Sequence, residues 1–126
     1  MPSPDSDNTV MIVDDSPFMR KMLRSLLELH GFRVVAEAEN GMEAVGFYSE
    51  FRPYVTFMDI MMPVKSGVDA TSEILSINPK AKIVLCSSLG HEDTIKSALD
   101  SGARDVVFKP YTVEQLKQVF KRLDQF

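Results

Sequence analysis

Cysteine is nearly absent from this sequence: Cys86 is the only one in 126 residues. An internal disulfide is therefore excluded, and the composition fits a reducing compartment. Long apolar runs are missing as well. No stretch approaches the roughly 18 residues needed to cross a bilayer. The opening Met1-Pro2-Ser3-Pro4-Asp5-Ser6-Asp7-Asn8 is polar and acidic, unlike a signal or transit peptide. No membrane insertion is expected, and the expected location is cytoplasmic. There is no Gly-x-Gly-x-x-Gly after the first strand, which argues against dinucleotide binding, and no Gly-x-x-x-x-Gly-Lys-Ser/Thr, which excludes a P-loop nucleotidase. No Cys/His cluster offers a zinc site. Excess positive charge is also lacking: the formal net charge is −4, so no nucleic-acid partner is expected.

What remains is ordinary soluble composition, 44% hydrophobic and 25% charged, in a chain the size of one compact domain. Residues 1–8 read as a disordered tail and 9–126 as the domain. The chain is organised around Tyr54-Val55-Thr56-Phe57-Met58-Asp59-Ile60-Met61-Met62-Pro63. This β-forming apolar run reads as a buried strand that delivers one acid, Asp59, to the edge of the core. The carboxyl ends of strands are where ligands gather in open α/β sheets.

The same alternation runs through the rest of the chain. Thr9–Val13 is a strand running into Asp14-Asp15, with Ser16 as N-cap and Pro17 as first helical residue. The helix that follows places Phe18, Met22, Leu26 and Leu29 on one apolar stripe, widened by Met19, Leu23 and Leu27. Arg20, Lys21, Arg24 and Glu28 are expected to face water. A second strand centres on Val34-Val35-Ala36, and Asn40-Gly41 opens a second helix that Arg52-Pro53 ends. After the central strand, Ser66-Gly67 begins a helix carrying Val68, Ala70, Ile74 and Ile77. Lys82–Cys86 is the fourth strand, closing on Ser87-Ser88, and a helix from near His91 presents Ile95, Ala98 and Leu99. Asp105–Phe108 is the fifth strand, ending in Lys109-Pro110. Thr112-Val113-Glu114-Gln115 has the form of a capping box for a last helix that buries Val113, Leu116, Val119, Phe120 and Leu123. The fold class is α/β: a single doubly wound (βα)5, flavodoxin-like domain with a five-stranded parallel sheet.

In that architecture Asp14, Asp15, Asp59, Ser87 and Lys109 all stand at strand ends and converge on one pocket. Three carboxylates in one place repel, so the pocket needs a cation. Hard oxygen ligands point to Mg²⁺, while the hydroxyl and the ammonium add donors for an anion. Such a site is equipped to handle a phosphoryl group. His30 and His91 are read as surface residues and Cys86 as core.

The sequence resembles the receiver domain of bacterial response regulators, and within that family the stand-alone, CheY-like chemotaxis members. The resemblance covers residues 9 to about 124. It is carried by Val13-Asp14-Asp15-Ser16, Met58-Asp59-Ile60-Met61-Met62-Pro63, Cys86-Ser87-Ser88, Gly102-Ala103-Arg104-Asp105 and Lys109-Pro110-Tyr111. It implies that Asp59 accepts the phosphoryl group and that Asp15, Asp59 and the backbone carbonyl of Met61 are direct Mg²⁺ ligands. Asp14 then holds a metal-bound water, Ser87 bonds the phosphoryl group, Lys109 pairs with it, and Lys109-Pro110 is cis. Three positions depart from the commonest pattern. Val106 stands where an aromatic often swings inward, Met61 where polar residues are frequent, and Ser88 where alanine is usual.

The resemblance also implies a function: a phosphorylation-activated, two-component response regulator. A histidine kinase would be its phosphodonor and protein binding its output. The target, a flagellar motor switch protein or another protein, would dock on the face of the fourth helix, fifth strand and fifth helix. A phosphatase partner, a monomeric state and no enzymatic activity beyond its own phosphorylation and dephosphorylation are expected with it. A non-chemotactic stand-alone receiver, a phosphorelay shuttle and the receiver of a larger regulator are alternatives of the same kind. A haloacid-dehalogenase-type phosphatase also uses a strand-end Asp and Mg²⁺, but it wants Asp-x-Asp where Asp14 and Asp15 are adjacent. Met61 and Leu89 are apolar residues overhanging the approach of a hydrolytic water, so the phosphorylated form is expected to decay slowly.

Overall fold

In the computed structural model, which describes residues 8–88 and 90–123, strands and helices alternate without exception. They are β1 (Thr9–Val13), α1 (Pro17–Leu29), β2 (Arg33–Ala38), α2 (Gly41–Phe51), β3 (Val55–Asp59), α3 (Gly67–Ile77), β4 (Ile83–Ser87), α4 (Glu92–Asp100), β5 (Asp105–Phe108) and α5 (Val113–Leu123). Nearly all of the expected tail, and Leu89, lie outside the described residues.

The strands pair in parallel in the order β2-β1-β3-β4-β5. β1, β3 and β4 are buried along their whole length and occupy the middle. Strands covered on both faces need continuous apolar sequence, which these three have. Their side chains alternate between the two faces. Val10, Ile12, Phe57, Val84 and Cys86 meet Leu23 and Leu27 of α1 and Leu116, Val119 and Leu123 of α5. Met11, Val13, Met58 and Leu85 meet Ala44 and Tyr48 of α2, Ala70 and Ile74 of α3, and Ile95 and Ala98 of α4. Each large aliphatic side chain so covered contributes about 1.5–3 kcal/mol.

Caps start the helices as their sequences dictate. The side chains of Ser16, Asn40 and Ser66 accept from the backbone N–H groups of Met19, Glu43 and Asp69. From β1 the chain turns to β2 on one side, and from β3 to β4 on the other. The loops beyond these two strands therefore diverge and leave a crevice between them.

Three expectations about side chains are corrected. Phe18 and Leu29 are 68% and 75% exposed. They sit in the end turns of α1, beyond the part of the helix that covers the sheet, and the buried line is Leu23 and Leu27. Phe18 instead walls a shallow groove with Met22, Leu26 and Tyr111. For the same reason Ile77, Leu99 and Val113 are partly exposed at the ends of their helices. Arg20 and Arg24 do not simply face water: both pair with Glu37 on the edge strand β2, at 3.1 and 2.5 Å. Thr112 caps α5 as expected, accepting from the N–H of Gln115 at 3.2 Å. The Gln115 side chain, however, does not turn back to close a capping box. It bonds the N–H and C=O of Phe108, at 2.8 and 2.9 Å, and so satisfies the free edge of β5 as another strand would.

Candidate functional site

Asp14 follows directly on β1, and its N–H still bonds to Ala38 O at 3.0 Å, so the sheet fixes its position. The side chain is buried and held at both ends. Oδ1 accepts from the Ser16 N–H at 2.9 Å, and Oδ2 accepts from Lys109 Nζ at 2.8 Å. Its own carbonyl accepts from Arg20 Nη1 at 2.7 Å, so the arginine assigned to solvent is part of the scaffold beneath the site.

Asp59 closes β3 and is also buried. Burial, and secondarily the charge of Asp14, raise its pKa to about 6, against the opposing pull of Lys109 and of the Met61 N–H. Lys109 Nζ stands 3.4 Å from Asp59 Oδ2. Burial works to lower the lysine, but its bond to Asp14 and the charges of both aspartates outweigh that, and its pKa is raised. The Lys109 N–H bonds to Ser87 O at 2.8 Å, tying the ends of β4 and β5 together, and the Lys109–Pro110 peptide is cis. The Ser87 hydroxyl is buried and donates to Ser88 O at 2.7 Å.

The loop after β3 is tied down close to the acid. Gly67 N–H bonds Ile60 O at 2.9 Å, and Gly41 N–H bonds Lys65 O at 3.1 Å. A side chain on Gly67 would lie 2.0 Å from the Asp59 carbonyl oxygen, so only glycine permits this approach. Val64, exposed on the same loop, takes a left-handed φ of 70°, strained for a β-branched residue.

Over these groups lies a cavity of about 180 Å³, lined by Asp59, Ile60, Met61, Ser87, Ser88, His91 and Lys109. Of the side chains singled out by sequence, Asp59, Ser87 and Lys109 line it, and Asp14 and Asp15 stand beside Asp59. Carboxylate oxygens of Asp14, Asp15 and Asp59 come within 4.8 Å of one another. One ammonium cannot balance three carboxylates, and Asp15 is exposed with no hydrogen bond or ion pair among the described residues. Hard, anionic oxygen donors with this surplus charge fit a divalent cation such as Mg²⁺. Met61 exposes its side chain at the cavity mouth, and Val106 packs, half-buried, against the α2–α3–α4 side of the sheet.

Two residues escaped the sequence reading. His91, assigned to the surface, is half-buried and lines the cavity. Its one signal was position, immediately before a helix that follows a site-bearing strand. His30 is also half-buried; its ring nitrogen bonds Leu26 O at 2.8 Å and it packs on Phe120. Cys86 is core, as expected. Burial pushes its thiol up to about 12, and it packs in the same core cluster as Tyr111.

The family model described as the response regulator receiver domain matches residues 10–121. The chain is 44% identical over 116 residues to the chemotaxis protein CheY of Thermotoga maritima, covering 89% of this chain and 97% of that one. To the chemotaxis protein CheY of Bacillus subtilis it is 40% identical over 113 residues, covering 90% and 94%. Among solved structures it resembles the CheX–CheY–BeF3–Mg²⁺ complex from Borrelia burgdorferi, with a TM-score of 0.83, 31% identity, and 93% and 87% of the two chains covered.

Proposed function

The chain belongs to the response regulator receiver domain family, and from that membership we propose that it is a cytoplasmic, monomeric switch phosphorylated on Asp59. The observation that carries the reading is the convergence of Asp59, Ser87 and Lys109 on one cavity wide enough for a phosphoryl group, with Asp14 paired to Lys109 beside it. An Asp59 oxygen attacks the phosphorus of a histidine kinase's phosphohistidine, or of a small phosphodonor. A P–O bond to Asp59 forms as the donor's bond to phosphorus breaks, P–N with the imidazole leaving or P–O with a carboxylate leaving, and the leaving group keeps the electron pair.

Asp15, Asp59 and the Met61 carbonyl would hold a Mg²⁺, with Asp14 bonding one of its waters; bound there, the ion supplies positive charge to the phosphoryl oxygens. Lys109 shifts its contact from Asp14 and Asp59 to the phosphoryl group. The Ser87 hydroxyl turns from Ser88 O to the same group and draws the following loop inward. Each movement re-seats the start of α4 or the end of β5. The α4–β5–α5 face is thereby biased toward a form that binds its target. The named relatives favour chemotaxis, with a motor switch protein or another protein as target and a phosphatase to reset the signal. Beyond its own phosphorylation and dephosphorylation the chain performs no catalysis.

The test is labelling with acetyl phosphate and Mg²⁺, read by intact-protein mass. One phosphoryl group is expected on the parent and none on Asp59→Asn. A variant that labels at the parental rate would remove Asp59 from its role.

A further inference from the structure

His91 occupies a place that the phosphorylation chemistry leaves open. Asp59, Ser87 and Lys109 form the floor of the cavity, and their polar atoms serve the acid and the oxygens of a phosphoryl group bound to it. Whatever enters or leaves opposite Asp59 must pass the mouth. Among the described residues the rest of the lining is Met61, whose side chain offers no hydrogen bond, the buried Ile60, Ser88 and His91. The Ser88 hydroxyl is held close to its own backbone by a single carbon, whereas an imidazole reaches two ring nitrogens further into the opening. His91 is also free to act. It stands as the residue before α4, its carbonyl accepting from the Ile95 N–H at 2.9 Å, but its side chain does not cap the helix and makes no hydrogen bond or ion pair among the described residues. α4 begins with Glu92 and Asp93, both exposed, so neither occupies the ring.

We infer that His91 is a positioning residue for dephosphorylation, holding by a hydrogen bond the water that attacks the phosphoryl group on Asp59. The inference rests on the proposed phosphorylation of Asp59. In the step, the water oxygen bonds to phosphorus and the P–O bond to Asp59 breaks. The electron pair returns to the carboxylate, and both water protons end on the departing phosphate, giving dihydrogen phosphate. A water has no covalent tether to bring it into line, so a hydrogen bond from the mouth is worth more to it than to a phosphodonor. That donor arrives with its leaving group already attached to phosphorus. His91 therefore sets how long the signal lasts more than how fast it starts, and it counters the slow decay expected from Met61 and Leu89.

The experiment uses the whole 126-residue chain labelled with acetyl phosphate, freed of donor by rapid desalting, and followed by intact mass under saturating Mg²⁺. His91→Ala is expected to decay about tenfold more slowly than the parent, the loss of about 1.4 kcal/mol of positioning. His91→Gln, which restores a polar group of similar reach, is expected within about threefold of the parent. The effect of His91→Ala on decay should exceed its effect on labelling by at least threefold, with Mg²⁺ affinity and urea midpoint as in the parent. Decay of His91→Ala at the parental rate or faster overturns the inference. So does decay, labelling and Mg²⁺ affinity falling together, which is the mark of a structural role, or slow decay in Ser88→Ala alone. Failure of the parent to label would instead remove the reading of Asp59, and this inference with it.

Discussion

The fold places like charges together in a buried site. Asp59 is buried beside Asp14, and its pKa of about 6 lies above the 3.8 of an unperturbed aspartate. The folded state thus binds its proton more tightly than the unfolded chain does. In the absence of metal, stability present at low pH is lost as the pH rises through the window from about 4 to about 6. The cost of the ionised carboxylate at neutral pH is on the order of 3 kcal/mol as an upper bound. Asp59→Asn carries no such charge. In EDTA at pH 7.5 it is expected to be more stable than the parent by about 1–3 kcal/mol, and the difference should vanish near pH 4. Urea denaturation at the two pH values measures it, and a variant less stable at pH 7.5 would contradict the picture. On the proposed function, the carboxylate that destabilises the empty fold is the one a cation and a phosphoryl group would stabilise.

At the scale of elements, two glycines test how tightly the scaffold is drawn around the acid. Gly46 lies exposed within α2, with nothing within 4 Å of where a Cβ would be. Gly46→Ala is expected to stabilise the protein by about 0.5–1 kcal/mol. Gly67 begins α3 against the Asp59 carbonyl. Gly67→Ala must push that peptide aside and is expected to cost upwards of about 2 kcal/mol and to slow labelling. Thermal melts of the pair should move in opposite directions. The elements themselves were legible because each strand is a short apolar run between a helix stop and an acid, serine or lysine. Asp14, Asp15, Asp59, Ser87 and Lys109 were legible because strand ends share one edge. What could not be read was reach. Arg20 crosses to β2 and to the Asp14 carbonyl, and Gln115 abandons its helix to bond Phe108. Phe18 lies outside the footprint of the sheet. Each depends on distances between elements far apart in sequence, which no periodicity records.

For the molecule as a whole, the crevice between β1 and β3 makes folding and ligand binding one equilibrium. A cation held only by the folded chain stabilises it by about 2.7 kcal/mol at a hundred times its dissociation constant, which raises Tm by about 10 °C in a domain of this size. Saturating Mg²⁺ is expected to produce that rise in the parent at constant ionic strength. It should fail to do so in Asp15→Ala, whose exposed side chain contributes little to the fold itself. Calorimetric scans with and without the ion check both. The burial of Cys86, the one cysteine in the chain, has a practical consequence at the same scale. Its thiol, pushed up to about 12, is both shielded and un-ionised at neutral pH, so thiol-directed dyes find no native target in the folded protein. A single cysteine introduced on the outer surface of α4 or α5 would then carry a fluorophore alone, and the untouched natural sequence could serve as the dark background against which movement of that face is watched.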